Sequence, residues 1–375
     1  MILPAVTGVA IVLVVLWEAF ETVILPRRVR RRFRLAVLVY RSTWVPWRAL
    51  AHRFGNAKNR ETFLSFYGPL SILILFAVWA AAIIFGFALL YSSGAAQDST
   101  HPTFETCLYL SGTTMFTLGL GDVIPHTWPE RFLVVCESGI GFGFLALVLS
   151  YLPVIYQAFS RREVNIVLLD ARAGSPPTAC ELLRRHAGMR GAEALEKLLY
   201  NWEHSSADIL ESHVSYPSVC YFRSQHTNES WLASLTAILD TCSFLLAFVE
   251  GTVSRQARLT FAMCRHTVVD LAQLFNEPPS AHQSDRLPAG ELARLRAAVT
   301  KAGFQIRDDE ASHKKLADLR ALYEPFVQAL SRFLYMEVPP WILANEITDN
   351  WKTSAWGRIS GLTGPDLEGP DDHTD

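Results

Sequence analysis

Long apolar runs separated by short charged stretches fill the first 160 residues, and then the chain changes character. Residues 3–25 and 131–159 are each long enough to cross the ~30 Å hydrocarbon core of a bilayer as helix. Residues 63–91 form a third such run, 29 residues or about 43 Å of helix. Between the last two lies a mostly apolar stretch, 103–116, which is too short to span and suits a re-entrant helix. Residues 33–54 are apolar but interrupted by Arg41, Pro46 and Arg48, with Trp44 and Trp47 among them. That is the pattern of an amphipathic helix lying in the interface. Beyond Arg161 the apolar positions recur with the period of soluble helices, over roughly 179–200, 229–250, 255–275, 289–304 and 313–336. The pattern predicts an all-α membrane protein with three transmembrane helices, one re-entrant helix and a C-terminal cytoplasmic helical domain. The expected divisions are an N-terminal transmembrane helix (1–26), a basic cytoplasmic segment (27–62), a two-span region (63–160), a helical domain (161–356) and a disordered tail (357–375), rich in Gly, Pro and Asp.

Charge gives these elements an orientation. The net charge of −2 hides a strong segregation: eleven Lys and Arg fall between positions 26 and 62, and none between 61 and 130. A signal peptide carries its positive charge ahead of the apolar stretch. Here Arg27, Arg28, Arg30, Arg31, Arg32 and Arg34 follow it. A retained helix is expected, with its N-terminus outside and the arginines inside. Glu18 and Glu21 share a face near its inner end and are expected to pair with those arginines. The outer loop carries only Asp98, Glu105, Asp122 and Glu130, an acidic surface that concentrates cations. These features place the protein in the plasma (inner) membrane, multi-pass, with the lipid bilayer as its surroundings. A basic patch so close to a membrane helix gives no reason to expect nucleic acid.

Residues 161–375 hold 22 Lys and Arg against 28 Asp and Glu, as in a solvated domain. Leu232, Leu235, Ile238, Leu239, Cys242, Leu245, Leu246 and Val249 line one broad face. Thr236, Asp240, Thr241 and Ser243 argue against a fourth span, so this run reads as a core helix. The six cysteines show neither C-x-x-C nor metal-ligand spacing, and His204, His213 and His226 are scattered. No Gly-x-Gly-x-x-Gly follows a strand. Nothing in this half names a regulatory ligand or a cofactor, and no catalytic constellation is present; an enzyme is not expected.

The most informative stretch is Thr113-Thr114-Met115-Phe116-Thr117-Leu118-Gly119-Leu120-Gly121-Asp122. Alternating Gly opens positive φ to an extended run, which lets successive carbonyls point one way. A lone Gly-Leu-Gly-Asp is a common turn, but this one follows the short apolar helix and precedes another span. Non-helical backbone at that depth survives only where protein buries it or water lines it. Thr114-x-x-Thr117-x-Gly119-x-Gly121-Asp122 resembles the T-x-x-T-x-G-x-G-D signature of the potassium-channel superfamily, and the arrangement of 60–160 resembles its bacterial members with one pore loop between two spans. The resemblance implies a tetrameric pore-loop channel for K+. It makes 63–91 the outer helix, 103–116 the pore helix, 117–122 the filter and 131–159 the inner helix. Carbonyls of Thr117, Leu118, Gly119 and Leu120, with Gly121 beyond, form stacked rings when four copies surround an axis, and the Thr117 hydroxyl makes the innermost site. Thr113, Thr114 and Asp122 support the filter.

Two departures bear on selectivity. Leu118 stands for the usual Val, and Leu120 for the usual Tyr, whose hydroxyl braces the filter from behind; Thr113 stands where some bacterial relatives place a Glu to hold the filter aspartate. A weakly selective monovalent cation channel is the alternative. Gly141, twenty residues beyond Gly121, sits where the family places its inner-helix hinge, although close helix packing accounts equally for Gly139, Gly141 and Gly143. Glu137 is ionisable within the hydrocarbon region and so a functional candidate. It lines the cavity or hydrogen-bonds behind the pore helix, and its place one turn from Gly141 favours the second. Pro153 is positioned to bend the inner end of the same helix. A transporter built from degenerate pore loops carries four repeats in one chain, unlike this one. A membrane-anchored sensor with a vestigial pore is opposed by the intact Thr and Gly residues.

Overall fold

A computed structural model describes residues 2–25, 35–94, 103–188, 191–224, 229–249, 253–280 and 285–344; the arginine cluster at 27–34 and the tail from 357 lie outside them. The described residues form an all-α protein in two compact units, 1–157 and 158–375. In the first unit α1 (Ile2–Ala19) ends in a π-helical turn at Phe20–Ile24. There follow α2 (Leu35–Ala51), α3 (Ala57–Ser65), α4 (Tyr67–Gly94), α5 (Phe104–Met115) and α6 (Trp128–Ala173), which crosses the unit boundary. Stretches Ile2–Ile24, Ala57–Gly94 and Trp128–Ala173 are long and apolar enough to span a membrane.

These spans pack through small residues. On α1 the buried positions Gly8, Val12, Val15, Glu18 and Ala19 make one stripe. A Cβ at Gly8 would lie 2.6 Å from the Gly86 carbonyl of α4, and one at Gly86 would lie 2.8 Å from Val12. Without a hydrophobic drive between helices in lipid, such close backbone approach is what holds them. At the C-terminal end of α1 Glu18 accepts the Ala36 amide at 3.0 Å. It thereby satisfies an orphan donor in the first turn of α2. The arginines expected to pair with Glu18, at 27–34, lie outside the described residues. Glu21 accepts the Trp17 indole N–H at 2.7 Å. Helix α2 docks on α3 and α4: Trp47 stacks on Phe63 at 4.4 Å, and the Tyr67 hydroxyl donates to the Tyr40 carbonyl at 2.9 Å. Its other side leaves Val37, Leu38, Val45 and Leu50 exposed, an apolar face suited to the interface.

The inner helix does not stop where its apolar span does. It continues to Ala173, because Ile166, Leu169 and Ala173 keep the helical period and are buried. The composition changes at Arg161, while the helical register runs on.

The second unit adds α7 (Ala179–Arg185), α8 (Gly191–Ser215), α9 (Trp231–Phe248), α10 (Val253–Leu274), α11 (Ala289–Lys301), α12 (Glu310–Ala321) and α13 (Glu324–Leu334). Two runs expected to be single helices are each divided. Gly188, at φ +97°, falls between α7 and α8, and α13 carries a Pro in its first turn, where a missing N–H is harmless. All 18 residues of α9 are buried, which accounts for its span-like hydropathy.

Two buried charges organise this bundle. Asp240, at the middle of α9 and fully buried, accepts Arg286 through both oxygens at 2.7 and 3.2 Å and Tyr323 Oη at 2.5 Å. Arg286 also reaches Glu324 at 3.1 Å and the Pro339 carbonyl at 2.7 Å. Burial opposes the Arg286 charge, but Asp240, Tyr323 and Glu324 outweigh it and raise its pKa. Arg162, 1 % exposed, donates to the carbonyls of Val219 (3.0 Å) and Phe222 (2.9 Å) and lies 3.1 Å from His213 Nε2. A guanidinium has no acceptor, so Nε2 accepts and His213 is neutral. Burial first, and Arg162 second, hold that imidazole well below its usual range. Burial also lowers His186.

Removing one partner of a buried, hydrogen-bonded pair strands the other charge. Asp240→Ala should therefore cost the second unit about 3–5 kcal/mol, read as lost hydrogen-exchange protection in α9 and α10 of the full-length protein; unchanged protection would contradict the ionic core. The histidines set a pH dependence. Their folded pKa values are depressed, so below about 6.5 the unfolded chain takes up protons that the folded chain refuses. Stability is complete above that pH and falls below it, by up to about 1.4 kcal/mol per pH unit for each imidazole. Exchange protection in α8, corrected for intrinsic rate, should drop between pH 6.5 and 5; a flat profile would show that His213 titrates normally.

Candidate ion-conduction site

The site is built where α5 ends. Thr103 caps α5, its hydroxyl accepting the Thr106 amide at 3.3 Å, and the helix runs 12 residues to Met115. At its end the Leu118 amide returns to the Thr113 carbonyl at 2.8 Å and the Thr117 amide to the Thr114 carbonyl at 3.0 Å. With Thr117 left-handed at φ +55°, this is a Schellman closure carrying Thr where Gly is usual. A β-branched residue there is an outlier. Thr113 and Thr114 thus support the stretch through backbone carbonyls, while the Thr113 hydroxyl bonds Leu110 within the helix at 3.0 Å.

Beyond the closure the backbone alternates. Thr117, Gly119 and Gly121 have φ of +55°, +57° and +79°, and the intervening Leu118 and Leu120 are not among the positive-φ residues. Where left- and right-handed conformations alternate, successive N–H groups converge on one side and the carbonyls turn to the other. A Cβ at Gly119 or Gly121 would meet nothing within 4 Å, so backbone conformation, not space, asks for glycine. Phe116, Leu118 and Leu120 are 59–65 % exposed. The Tyr109 hydroxyl, one turn before Thr113 on α5, lies near enough to the Asp122 carboxylate to interact with it. Reading the Thr113 position alone missed that contact.

Behind α5 lies Glu137 of α6, fully buried. Its Oε2 accepts the Tyr91 hydroxyl of α4 at 2.7 Å, and its Oε1 makes a short hydrogen bond with the Ser111 hydroxyl of α5. Ser111 also reaches the Ile84 carbonyl at 2.9 Å. Of the three spaced glycines, a Cβ at Gly139 or Gly143 would meet open space, whereas one at Gly141 would strike the Met115 carbonyl. Gly141 is therefore a close-contact glycine against the end of α5. Pro153 is inside α6, twelve residues or about 18 Å of helix further on, and is not brought to this cluster. Among the described residues no His, Cys, Asp and Glu group could hold a metal ion. His204 meets Tyr200 edge-on at 4.6 Å between ring centroids, and the six cysteines are free; His226 lies outside the described residues.

Residues 70–157 match the family described as an ion channel. The match covers most of α4, all of α5, the alternating backbone after it and the apolar part of α6. This segment is similar to that ion-channel family, in agreement with the potassium-channel resemblance of the Thr114–Asp122 motif. The chain is also 23 % identical over 184 residues to the uncharacterized membrane protein YdjJ of Bacillus subtilis, over 47 % of this chain and 52 % of that protein. It thus spans about half the length of the curated relative it matches. No solved structure matches.

Proposed function

We propose that the protein is a potassium-selective channel, passing the ion passively through a filter that four copies of the chain complete. The observation that carries this reading is the alternation of positive φ at Thr117, Gly119 and Gly121 directly after α5. It supports carbonyls of Thr117, Leu118, Gly119 and Leu120 as ligands replacing the hydration shell of K+, with the Thr117 hydroxyl innermost. A homotetramer is supported by what a single chain leaves bare. Phe132, Val135, Phe142, Leu145 and Leu149 of α6 are 55–70 % exposed, beside the equally bare Phe116, Leu118 and Leu120. Neighbouring copies around an axis cover such a face, and lipid covers the remainder.

The arginines at 27–34 and the Lys- and Arg-free stretch at 61–130 support an N-terminus outside and a cytoplasmic second unit in the plasma membrane. That unit gates the pore in this reading, and α6, unbroken from Trp128 to Ala173, supplies the covalent path. Weak selectivity is the second reading. Leu120 has no hydroxyl to brace the filter, which leaves the Tyr109–Asp122 contact as the brace at the outer end.

Reversal potentials of the purified protein in proteoliposomes under opposed K+ and Na+ gradients test the reading, alongside native mass spectrometry. A potential near that for K+ and a tetramer are expected; a potential tracking total monovalent cation leaves the second reading, and a dimer removes the ring. Gly119→Ala should abolish selective conduction while leaving the tetramer intact. A non-Gly residue held left-handed costs about 1–2 kcal/mol, and one ring contains four of them. Gly290→Ala, where a Cβ meets nothing within 4 Å and φ is ordinary, is the control. Selective conduction by Gly119→Ala at the wild-type rate would mean that the stretch is only a turn.

A further inference from the structure

We infer that Glu137, Ser111 and Tyr91 form a positioning joint through which the inner helix sets the selectivity of the filter. The inference rests on the channel reading above. Three elements meet at one buried carboxyl group: Tyr91 brings α4, Ser111 brings α5 and Glu137 brings α6. The joint has three hydrogen-bonded contacts, Tyr91 to Glu137, Ser111 to Glu137 and Ser111 to the Ile84 carbonyl. The two hydroxyls supply only two protons, since each has one to donate. A carboxyl group carrying its own proton completes the chain: Tyr91 donates to Oε2, Oε1–H donates to Ser111, and Ser111 donates to Ile84. A glutamine reproduces that pattern, its oxygen accepting from Tyr91 and its amide donating to Ser111. A leucine leaves the hydroxyls of Tyr91 and Ser111 without the group that ties them together.

The joint reaches the ion path because α6 touches α5 on two successive turns. Residues i and i+4 share a helix face, so Glu137 and Gly141 point the same way. The first bonds Ser111 in the middle of α5, and the second lies against the Met115 carbonyl at its end. Two residues past Met115 comes Thr117, whose amide is tied back to Thr114. The start of the alternating backbone is therefore fixed to α5, and α5 is fixed to α6 by one polar and one steric contact. Losing the polar one frees α5 to rotate or slide against α6, which misaligns carbonyls that must act as a ring. Ser111 and Tyr91, 26 and 46 residues from Glu137 in the chain, are thereby positioning residues for selectivity; Glu137 is kept from the water-filled path.

The test compares K+/Na+ permeability ratios of wild type, Glu137→Leu and Glu137→Gln in proteoliposomes, each with its assembly state measured. Wild type is expected to be selective, Glu137→Leu to assemble with a ratio lowered about tenfold, within the usual range of coupling between sites, and Glu137→Gln to restore the ratio. A purely structural role would reduce the yield of Glu137→Leu while leaving the ratio of the surviving assemblies unchanged, and that result overturns the inference. Should Glu137→Leu fail to assemble, Ser111→Ala and Tyr91→Phe decide: a lowered ratio in either supports the joint, and wild-type ratios in both overturn it. A selective wild type beside unaltered variants refutes the joint alone; a wild type that conducts no cation refutes the channel reading and the joint with it.

Discussion

Everything in the first unit follows from one constraint: a stretch of backbone that is neither helix nor strand lies among helices made for a bilayer. Lipid offers no partner to its amides and carbonyls, so the chain must provide them. The amides of Thr117 and Leu118 fold back on the last turn of α5. No backbone hydrogen bond among the described residues ends on the carbonyls of Leu118, Gly119 or Leu120. Short α5 exists to present that backbone, and α4 and α6 exist to hold α5. The close contact at Gly141 and the hydrogen bonds of Glu137 are two ways of meeting that demand in a medium where hydrophobic burial offers little. Gly8 against Gly86 extends the same device to α1.

The second unit solves a different problem with different means. Its helices surround α9, which is wholly enclosed. Its ionised groups are satisfied in place: Asp240 by Arg286 and Tyr323, Arg162 by two carbonyls and a neutral His213. Such pairs are poor sources of net stability compared with apolar packing, but they are costly to break. They therefore restrict which arrangements of the bundle are tolerable. Arg162, near the start of this unit, has every donor direction shown to be occupied by a carbonyl, a carboxylate or an imidazole.

Much of this architecture was legible in the residues. Apolar length separates the spans from the 12-residue α5, and glycines at 119 and 121 mark where the backbone departs from ordinary angles. What stayed hidden is tertiary. Nothing local in Ser111 or Tyr91 announces that they bond Glu137, because the partners are far apart in the chain and serine and tyrosine are common in membrane helices. Gly139, Gly141 and Gly143 look alike as letters, and only the approach of Met115 distinguishes the middle one. Tyr109 was overlooked for the same reason, since its contact with Asp122 depends on how the loop turns back. Helix ends also misled: composition at Arg161 suggested a boundary that the helical register ignores, while Gly188 and the proline of α13 broke runs whose apolar period continues.

One further consequence belongs to the newly made chain. A ribosome feeding this protein into a membrane delivers α9 as an 18-residue segment of span-like hydropathy, before α10, α12 and α13, which help to enclose it, have been synthesised. During that interval the insertion machinery judges the segment on its own residues. A single aspartate at the centre of a helix raises the cost of entering the bilayer by about 2.5–3.5 kcal/mol, and Asp240 occupies that position. The same carboxylate that later anchors Arg286 thus weighs first against entry of this segment into the bilayer.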